Sequence, residues 1–294
     1  IIGFFTLLGK LFAILKELVT AYHFGTGDKL DAFIIAFLLP AFVINILSDS
    51  LRASLIPVLT RIRAQSSIDE NRAFLSGILF LTIIVLIAGV ILLALAAPYV
   101  IQWFASGFST EKLLLSKNLF FLLLPVLIFS TLSAIWGAIL NTEEHFAVVA
   151  IAPALIHIGA ILLLLLAGKQ WGIYALAIGT VAGFVAELLL LSLAVRHIGL
   201  AVIPRWQGIT APIKSVIQQF MPMAAGMVLM SSTIIVDQGM AAMLEPGSVS
   251  SLNYAGRIIG LLTGVGAMAL GTAVLPHFSR QVAREDWPGI LHTF

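Results

Sequence analysis

The sequence has no cysteine and very few charged residues. None of its 294 residues is cysteine, which excludes disulfides, thiol catalysis and cysteine-ligated metals. Charged residues make up only 10% of the chain, hydrophobic residues make up 60%, and the mean hydropathy is +1.09. Soluble domains are usually about 45–50% apolar and about 25% charged. The composition therefore predicts a polytopic membrane protein.

Other features that the sequence lacks exclude several classes of function. The net charge of +2 is too small to indicate a nucleic-acid partner. The sequence has no Walker A loop, so it supplies no ATP site of its own. The six histidines are scattered, with no metal-ligand cluster, and no nucleophile and base are suitably spaced. We therefore expect neither an enzyme nor a bound cofactor, and we leave open a coupling ion and the oligomeric state.

Eight segments are long and apolar enough to span a bilayer, which takes about 20 residues. They lack the strict alternation of β-strands, so the predicted fold is all-α. Chain numbering begins at Ile1 inside an apolar helix and ends at Phe294 without a visible terminus, which predicts a fragment of a longer protein. The predicted spans are 1–24, 31–61, 74–104, 113–140, 146–167, 171–195, 213–244 and 249–278.

The distribution of basic residues predicts which loops face the cytoplasm. With eight spans the loops alternate between two sides. One side collects Arg61, Arg63, Arg72, Arg196, Arg205, Lys214, Arg280 and Arg284. The other side collects Lys29, Lys112, Lys117 and Lys169. The positive-inside rule places the first set in the cytoplasm, so the N-terminal end of the first helix is cytoplasmic and the loop 25–30 is external.

Four basic residues lie inside predicted spans, namely Lys10, Lys16, Arg52 and Arg257. A charge at the bilayer centre costs roughly 2.5–3.5 kcal/mol on insertion scales, so it needs a partner, a wet cavity or an anionic ligand. At about 1.5 Å per residue, Lys16 and Arg257 are each roughly 12 Å below the external surface. Arginine and lysine together suit phosphate. These residues predict a cationic cavity that binds a phosphorylated substrate.

Acidic residues offer these cations local partners. Lys10 and Glu17 are seven residues apart and share a helix face. Asp49 and Arg52 are three apart and can pair. The alternative interpretation is therefore a set of buried ion pairs that only fixes helix packing. We assign gating or coupling roles to the acidic residues Asp31, Asp49, Glu17 and Asp237.

The second span has unusual polar content. Pro40 should kink it, and the residues that follow cannot all share one face. This pattern predicts a bent helix with a hydrated middle, although a purely structural kink is the alternative. Mid-helix His157 and Glu187 are further candidates for a proton or ion step. The polar residues after the proline are Asn45, Ser48, Asp49, Ser50, Arg52 and Ser54.

Two short motifs indicate an internal repeat. Pro57 and Pro276 are 219 residues apart, and each is the third residue of the same seven-residue motif. In this motif two aliphatic residues precede the proline, and any residue, an apolar residue, a hydroxyl residue and an arginine follow it. A parallel duplication of a six-helix unit fits this spacing, with a binding site expected between the two copies. The predicted domains are a six-helix lobe over 1–204, and an interfacial hinge with the first two helices of a second lobe over 205–294.

Two regions resemble the MurJ/MviN family of lipid II flippases, within the superfamily of multidrug, oligosaccharidyl-lipid and polysaccharide exporters. The first region holds Phe24-Gly25-Thr26-Gly27, Asp31-Ala32-Phe33, Ala36-Phe37, Pro40 and Ile56-Pro57-Val58. The second holds Tyr254-Ala255-Gly256-Arg257, Gly264-Val265, Ala269-Leu270-Gly271-Thr272 and Leu275-Pro276.

The resemblance implies a flippase that moves the lipid-linked peptidoglycan precursor across the bacterial inner membrane by alternating access, for cell wall biogenesis and cell shape. It implies a cationic cavity for the diphosphate-sugar head group, among membrane lipids. Lys10 and Lys16 stand where the family has first-helix arginines, and Arg257 stands at its eighth-helix arginine. Asp31 stands at the aspartate of the outer gate region.

The second helix departs from the family pattern. Ala41 follows Pro40 where the family has asparagine, and Ile44 stands at its arginine, with Arg52 as a possible substitute further along. These differences leave three alternatives open: an exporter of another polyprenyl-diphosphate-linked saccharide, a cation-coupled drug exporter, and a non-transporting scaffold or degenerate paralogue. The basic excess in the predicted cavity argues against the drug exporter.

Overall fold

The computed structural model describes residues 2–65, 67–200, 203–206, 208–260 and 262–264. Within them the chain is helical, as predicted, and by compactness it divides into two units, Ile1–Ser250 and Ser251–Phe294. The predicted lobe boundary after residue 204 stays a prediction. The α-helices are α1 (Ile2–Phe24), α2 (Asp28–Ile44), α3 (Ser50–Gln65), α4 (Ile68–Phe104), α5 (Thr110–Leu123), α6 (Val126–Thr142), α7 (Phe146–Ile151), α8 (Ala154–Trp171), α9 (Ile173–His197) and α10 (Ala211–Ala241).

Six helical segments of the described chain are long and apolar enough to cross a membrane. They are Asp28–Gln65, Asp69–Phe104, Thr110–Thr142, Phe146–Trp171, Ile173–His197 and Ala211–Ala241. The first predicted span, α1, is not among them, because its middle carries Lys10, Lys16 and Glu17. The eighth is helical over 248–260 and 262–264, and its remainder, with the second proline motif, lies outside the described residues.

Prolines interrupt two of the predicted spans. The fourth breaks into α5 and α6 at Pro125, and the fifth breaks into α7 and α8 at Pro153. Proline lacks a backbone N–H, and the residue before each proline keeps helical dihedral angles, so each break is local. In the second span Pro40 stays within α2, and a wider π-helical turn follows at Asn45–Asp49. This turn carries part of the polar run, and such turns often occur at functional sites.

Polar caps extend some helices beyond their predicted apolar stretches. The third span begins at Ile68 rather than 74, because Ser67 and Glu70 form a reciprocal capping box. In it the Ser67 Oγ accepts the Glu70 N–H at 3.3 Å, and the Glu70 carboxylate accepts the Ser67 N–H at 3.1 Å. Ser109 caps α5 by accepting the N–H of Lys112. These turns are too polar to be counted by a search for apolar runs.

Glycines bring α8 and α9 into backbone contact. A Cβ added to Gly159 would lie 2.7 Å from the Gly179 carbonyl oxygen, and one added to Gly183 would lie 2.5 Å from the Ile156 Cα. Gly179 and Gly183 are one turn apart and form a small-residue stripe on α9, which is how many membrane helices associate. The two helices therefore form a rigid pair within the first unit.

Side-chain contacts at helix ends agree with the two predicted sets of loops. At one end, Arg63 of α3 pairs with Glu143 after α6 at 2.9 Å, and Arg72 of α4 donates to the Gly199 carbonyl after α9. At the other end, Lys112 of α5 pairs with Asp28 of α2. These contacts bring together helix ends that the sequence analysis assigned to the same side. Which side faces the cytoplasm stays a prediction.

Candidate functional site

Asp31 is the most completely bonded buried charge among the described residues. Its side chain is 1% exposed. Its Oδ1 accepts the backbone N–H of Ser250 at 2.8 Å, and its Oδ2 accepts the backbone N–H of Gly247 at 2.8 Å. The Lys112 Nζ donates to Oδ2 at 2.9 Å. We call these four residues, Asp31, Lys112, Gly247 and Ser250, the Asp31 clasp.

The clasp joins α2 to the first turn of the helix that begins at residue 248. The N–H groups of the first helical turn have no partner within their own helix, and the helix dipole favours a negative charge there. Asp31 therefore caps a helix that is 219 residues further along the chain. The N-cap residue of α2 itself is Gly27, which makes no side-chain cap.

Glycines shape the two turns that meet at the clasp. Gly25 ends α1 with φ of 56°, and Gly247 precedes the capped helix with φ of 92°. Both values lie in the left-handed region that glycine adopts readily. A Cβ added to Gly247 would lie 3.4 Å from atoms of Thr26, so the two turns are in van der Waals contact. The close approach lets the Gly247 N–H reach Asp31.

Lys112 was predicted to be an external loop residue, and the structure instead buries it. Its side chain is 7% exposed, and its Nζ also pairs with Asp28 Oδ1 at 2.7 Å. The third face of the ammonium lies over the Phe108 ring, 3.9 Å from its centroid. Little in the sequence indicates this role, because the partner Asp31 is 81 residues away. The one usable hint was that both residues belong to the same predicted side.

The first-helix cations lie on a helix that packs against α7 and α8. Lys10 is exposed, and Lys16 is partly buried. The Lys16 Nζ pairs with the Glu17 carboxylate at 2.8 Å, and both side chains are about one-fifth exposed. Because the pair is accessible and joins adjacent residues, Lys16 keeps donors free for another anion.

The acid that interacts with Arg52 is not the predicted one. Within the described residues no ion pair joins Asp49 to Arg52, and both are exposed. Asp49 ends the π-helical turn at Asn45–Asp49, and Arg52 lies in the first turn of α3. Arg52 instead interacts electrostatically with Glu187 of α9, whose side chain is buried. Glu187 links α9 to the polar part of the second span.

The remaining predicted residues lie on two further helices. Asp237 is exposed on α10. Arg257 is exposed on the helical residues 251–260 of the second unit, where it makes an interaction of its own. The substrate-binding roles of Lys10, Lys16, Arg52 and Arg257 stay predictions. So do the gating or coupling roles of Asp31, Asp49, Glu17 and Asp237.

Comparison with known proteins identifies the family. The model of the family described as lipid II flippase MurJ matches residues 20–294. The chain belongs to this family. The match covers nearly the whole sequence, including both motif regions that carry the resemblance, and it makes the chain part of a membrane transporter family.

Individual relatives in the family are distant in sequence. Probable lipid II flippases MurJ from Vibrio cholerae and from Buchnera aphidicola subsp. Baizongia pistaciae are 27% and 26% identical to the chain. The alignments cover 100% and 94% of the chain, and 58% and 55% of the relatives. The lipid II flippase MurJ of Burkholderia cenocepacia is 25% identical, over 94% of the chain and 55% of its own length.

A solved structure supports the same assignment. The chain superposes on a lipid II flippase MurJ in an inward closed conformation with a TM-score of 0.79 and 25% identity. The match covers 96% of the chain and 59% of that protein. The chain therefore spans somewhat over half the length of the curated relatives and of the solved structure that it matches.

Proposed function

We propose that this chain is the first lobe, and the beginning of the second, of a flippase that carries lipid II across the bacterial inner membrane. The observation that carries the proposal is the Asp31 clasp. It joins α2 of the predicted first lobe to residues 247–250 of the predicted second lobe through a buried carboxylate. Contacts of this kind hold one side of a transporter closed and can be broken as a unit.

The head group of lipid II supplies the anion that the membrane cations need. Its diphosphate carries negative charge into the bilayer, where the positive charges of Lys10, Lys16, Arg52 and Arg257 are costly. Lys16 keeps donors available beside Glu17, and Arg257 can approach phosphate as a planar fork. These residues bind the diphosphate, while the polar stretch of the second span keeps the cavity hydrated.

Transport follows by alternating access. With the Asp31 clasp closed, the cavity opens to the cytoplasm and receives the head group. Release of the Gly247 and Ser250 N–H groups from Asp31 lets the lobes rock and opens the external side. The substrate drives this change only through its different affinity for the two states. The chain acts as a transporter and not as an enzyme, and α1 begins on the cytoplasmic side.

Complementation tests the proposal in cells. Full-length Lys16→Ala and Arg257→Ala variants are expected to abolish growth in a strain depleted of its native flippase, while inserting normally into the membrane. Lys169→Ala is the matched control, because it removes an exposed lysine at the end of α8. Normal growth of both cavity variants would contradict the proposed binding role.

A second substrate has one specific observation in its favour. Ala41 and Ile44 stand in α2 where the family resemblance leads one to expect asparagine and arginine. Loss of these polar groups near the head group would suit another polyprenyl-diphosphate-linked saccharide. Purified full-length protein in vesicles, offered lipid II and a second polyprenyl-diphosphate sugar separately, distinguishes the two by which lipid is moved.

A further inference from the structure

Lys112 occupies the centre of a fully satisfied polar cluster. An ammonium group has three donors. One meets Asp28 at 2.7 Å, a second meets Asp31 at 2.9 Å, and the remaining face lies over the Phe108 ring. Asp28 is 60% exposed at its side chain, whereas Asp31 is 1% exposed. The lysine therefore neutralises chiefly Asp31, the carboxylate that has lost its water.

Most residues of the polar cluster around Lys112 lie on one side of the contact that the clasp makes. Asp28 and Asp31 belong to α2, Lys112 belongs to the start of α5, and Phe108 lies just before α5. The helices α2 and α5 pack directly against each other. Gly247 and Ser250 belong to the segment that the proposed rocking motion carries away. Opening the clasp thus breaks the two backbone N–H contacts and leaves the Lys112 ion pair in place.

We propose that Lys112 is a positioning residue that makes closure of the clasp possible. Closure takes the Asp31 carboxylate out of water, and two backbone N–H groups alone leave a buried net charge. Lys112 offsets that cost in the closed state. In the open state water solvates the Asp31 carboxylate, so the lysine contributes less to stabilising it. The balance between closed and open states depends on Lys112 acting through Asp31. This inference rests on the proposed alternating-access function.

A cysteine introduced at position 250, within the clasp, tests this proposal. Ser250 is fully buried, its backbone N–H donates to Asp31 Oδ1 at 2.8 Å, and its hydroxyl donates to the Gly247 carbonyl oxygen at 3.0 Å. The chain has no cysteine, so Ser250→Cys gives a single reporter in a full-length protein whose other cysteines, if any, are replaced. The rate of labelling by a membrane-impermeant maleimide added outside spheroplasts measures opening of the clasp.

Lys112→Met is expected to raise the labelling rate of Ser250→Cys by about tenfold or more, because the closed state then buries an uncompensated carboxylate. Lys112→Arg keeps the charge and should label close to the parent rate. Lys117→Met is the matched control, since Lys117 lies on the same helix and is exposed. Unchanged or slower labelling of Lys112→Met would overturn the proposal.

A second comparison keeps the proposal open to test if Lys112→Met is poorly inserted. In an Asp31→Asn background no carboxylate is left in the clasp for Lys112 to neutralise, so adding Lys112→Met should raise labelling by less than about twofold. An equally large rise in that background would mean that Lys112 acts on packing alone, and would overturn the proposal.

The readouts separate this inference from the proposed function. Labelling requires no lipid substrate, whereas lipid II translocation in vesicles does. Translocation by the parent protein with no labelling change in Lys112→Met would reject only the role of Lys112. The expected labelling changes with no translocation of lipid II would reject the substrate and retain the clasp.

Discussion

The carboxylate of Asp31 accepts the backbone N–H of Ser250 at 2.8 Å, and these residues are 219 positions apart. Pro57 and Pro276, in the two copies of the predicted repeat motif, have the same separation. In the predicted repeat, Asp31 therefore binds its own counterpart in the second copy. Residues that contact their equivalents lie near the axis that relates the copies, and transporters built from repeats bind substrate at the interface between the copies.

Gly247→Ala is expected to weaken the clasp. The residue has φ of 92°, and an added Cβ would touch Thr26 at 3.4 Å. A left-handed conformation costs a residue with a Cβ roughly 1–2 kcal/mol, so labelling of Ser250→Cys from outside should rise about tenfold. Gly226→Ala is the matched control, because its Cβ would meet open space on α10. Equal labelling of the two variants would show that the turn does not limit closure.

Gly183→Ala is expected to destabilise the first unit without touching the predicted cavity. Its Cβ would lie 2.5 Å from the Ile156 Cα, so α8 and α9 must separate. Overpacking of this kind costs about 1–3 kcal/mol, and it should lower the thermal midpoint of the detergent-purified protein. The control is Gly89→Ala in α4, where nothing lies within 4 Å. An unchanged midpoint for Gly183→Ala would contradict the close glycine contact.

Glu17→Gln is expected to retain complementation, whereas Lys16→Ala loses it. The Lys16–Glu17 pair is partly exposed, and such pairs contribute only about 0–1 kcal/mol. Its loss should therefore leave the fold intact and leave Lys16 available to phosphate. The measurement is growth of the depleted strain at matched membrane levels of each variant. If both variants fail to the same extent, the pair itself and not the free cation is what the protein needs.

Arg52→Ala is expected to lower the membrane yield of the protein, and Arg52→Ala/Glu187→Gln should restore it. Glu187 is buried in α9, and Arg52 is the positive group that interacts with it. Removing the arginine leaves a buried carboxylate, which the amide then neutralises. Coupling between the two substitutions should be on the order of 1 kcal/mol. If the effects of Arg52→Ala and Glu187→Gln on thermal stability are additive, Arg52 binds the substrate and does not stabilise Glu187.

The sequence predicted the membrane class, the helical fold and most helix positions, because long apolar runs suffice for these. It missed the breaks at Pro125 and Pro153, since hydropathy continues across a proline although the hydrogen-bond ladder does not. It also set the start of α4 too late, because the capping box of Ser67 and Glu70 lies in polar sequence.

The candidate site was predicted less completely than the fold. Asp31 was selected from its motif, but its partners depend on contacts between residues far apart in the chain. Lys112, Gly247 and Ser250 could not be assigned to it by spacing. The predicted Asp49–Arg52 pair does not form among the described residues, and the π-helical turn that ends at Asp49 was not predicted from the sequence.

Lipid II translocation by the purified full-length protein in vesicles tests the central claim most directly. We predict that the parent protein and Lys169→Ala move lipid II between leaflets, while Lys16→Ala and Arg257→Ala do not. We also expect the last two variants to remain folded, with unchanged thermal midpoints. Translocation by Lys16→Ala and Arg257→Ala at the parent rate, or none by the folded parent protein, would contradict it.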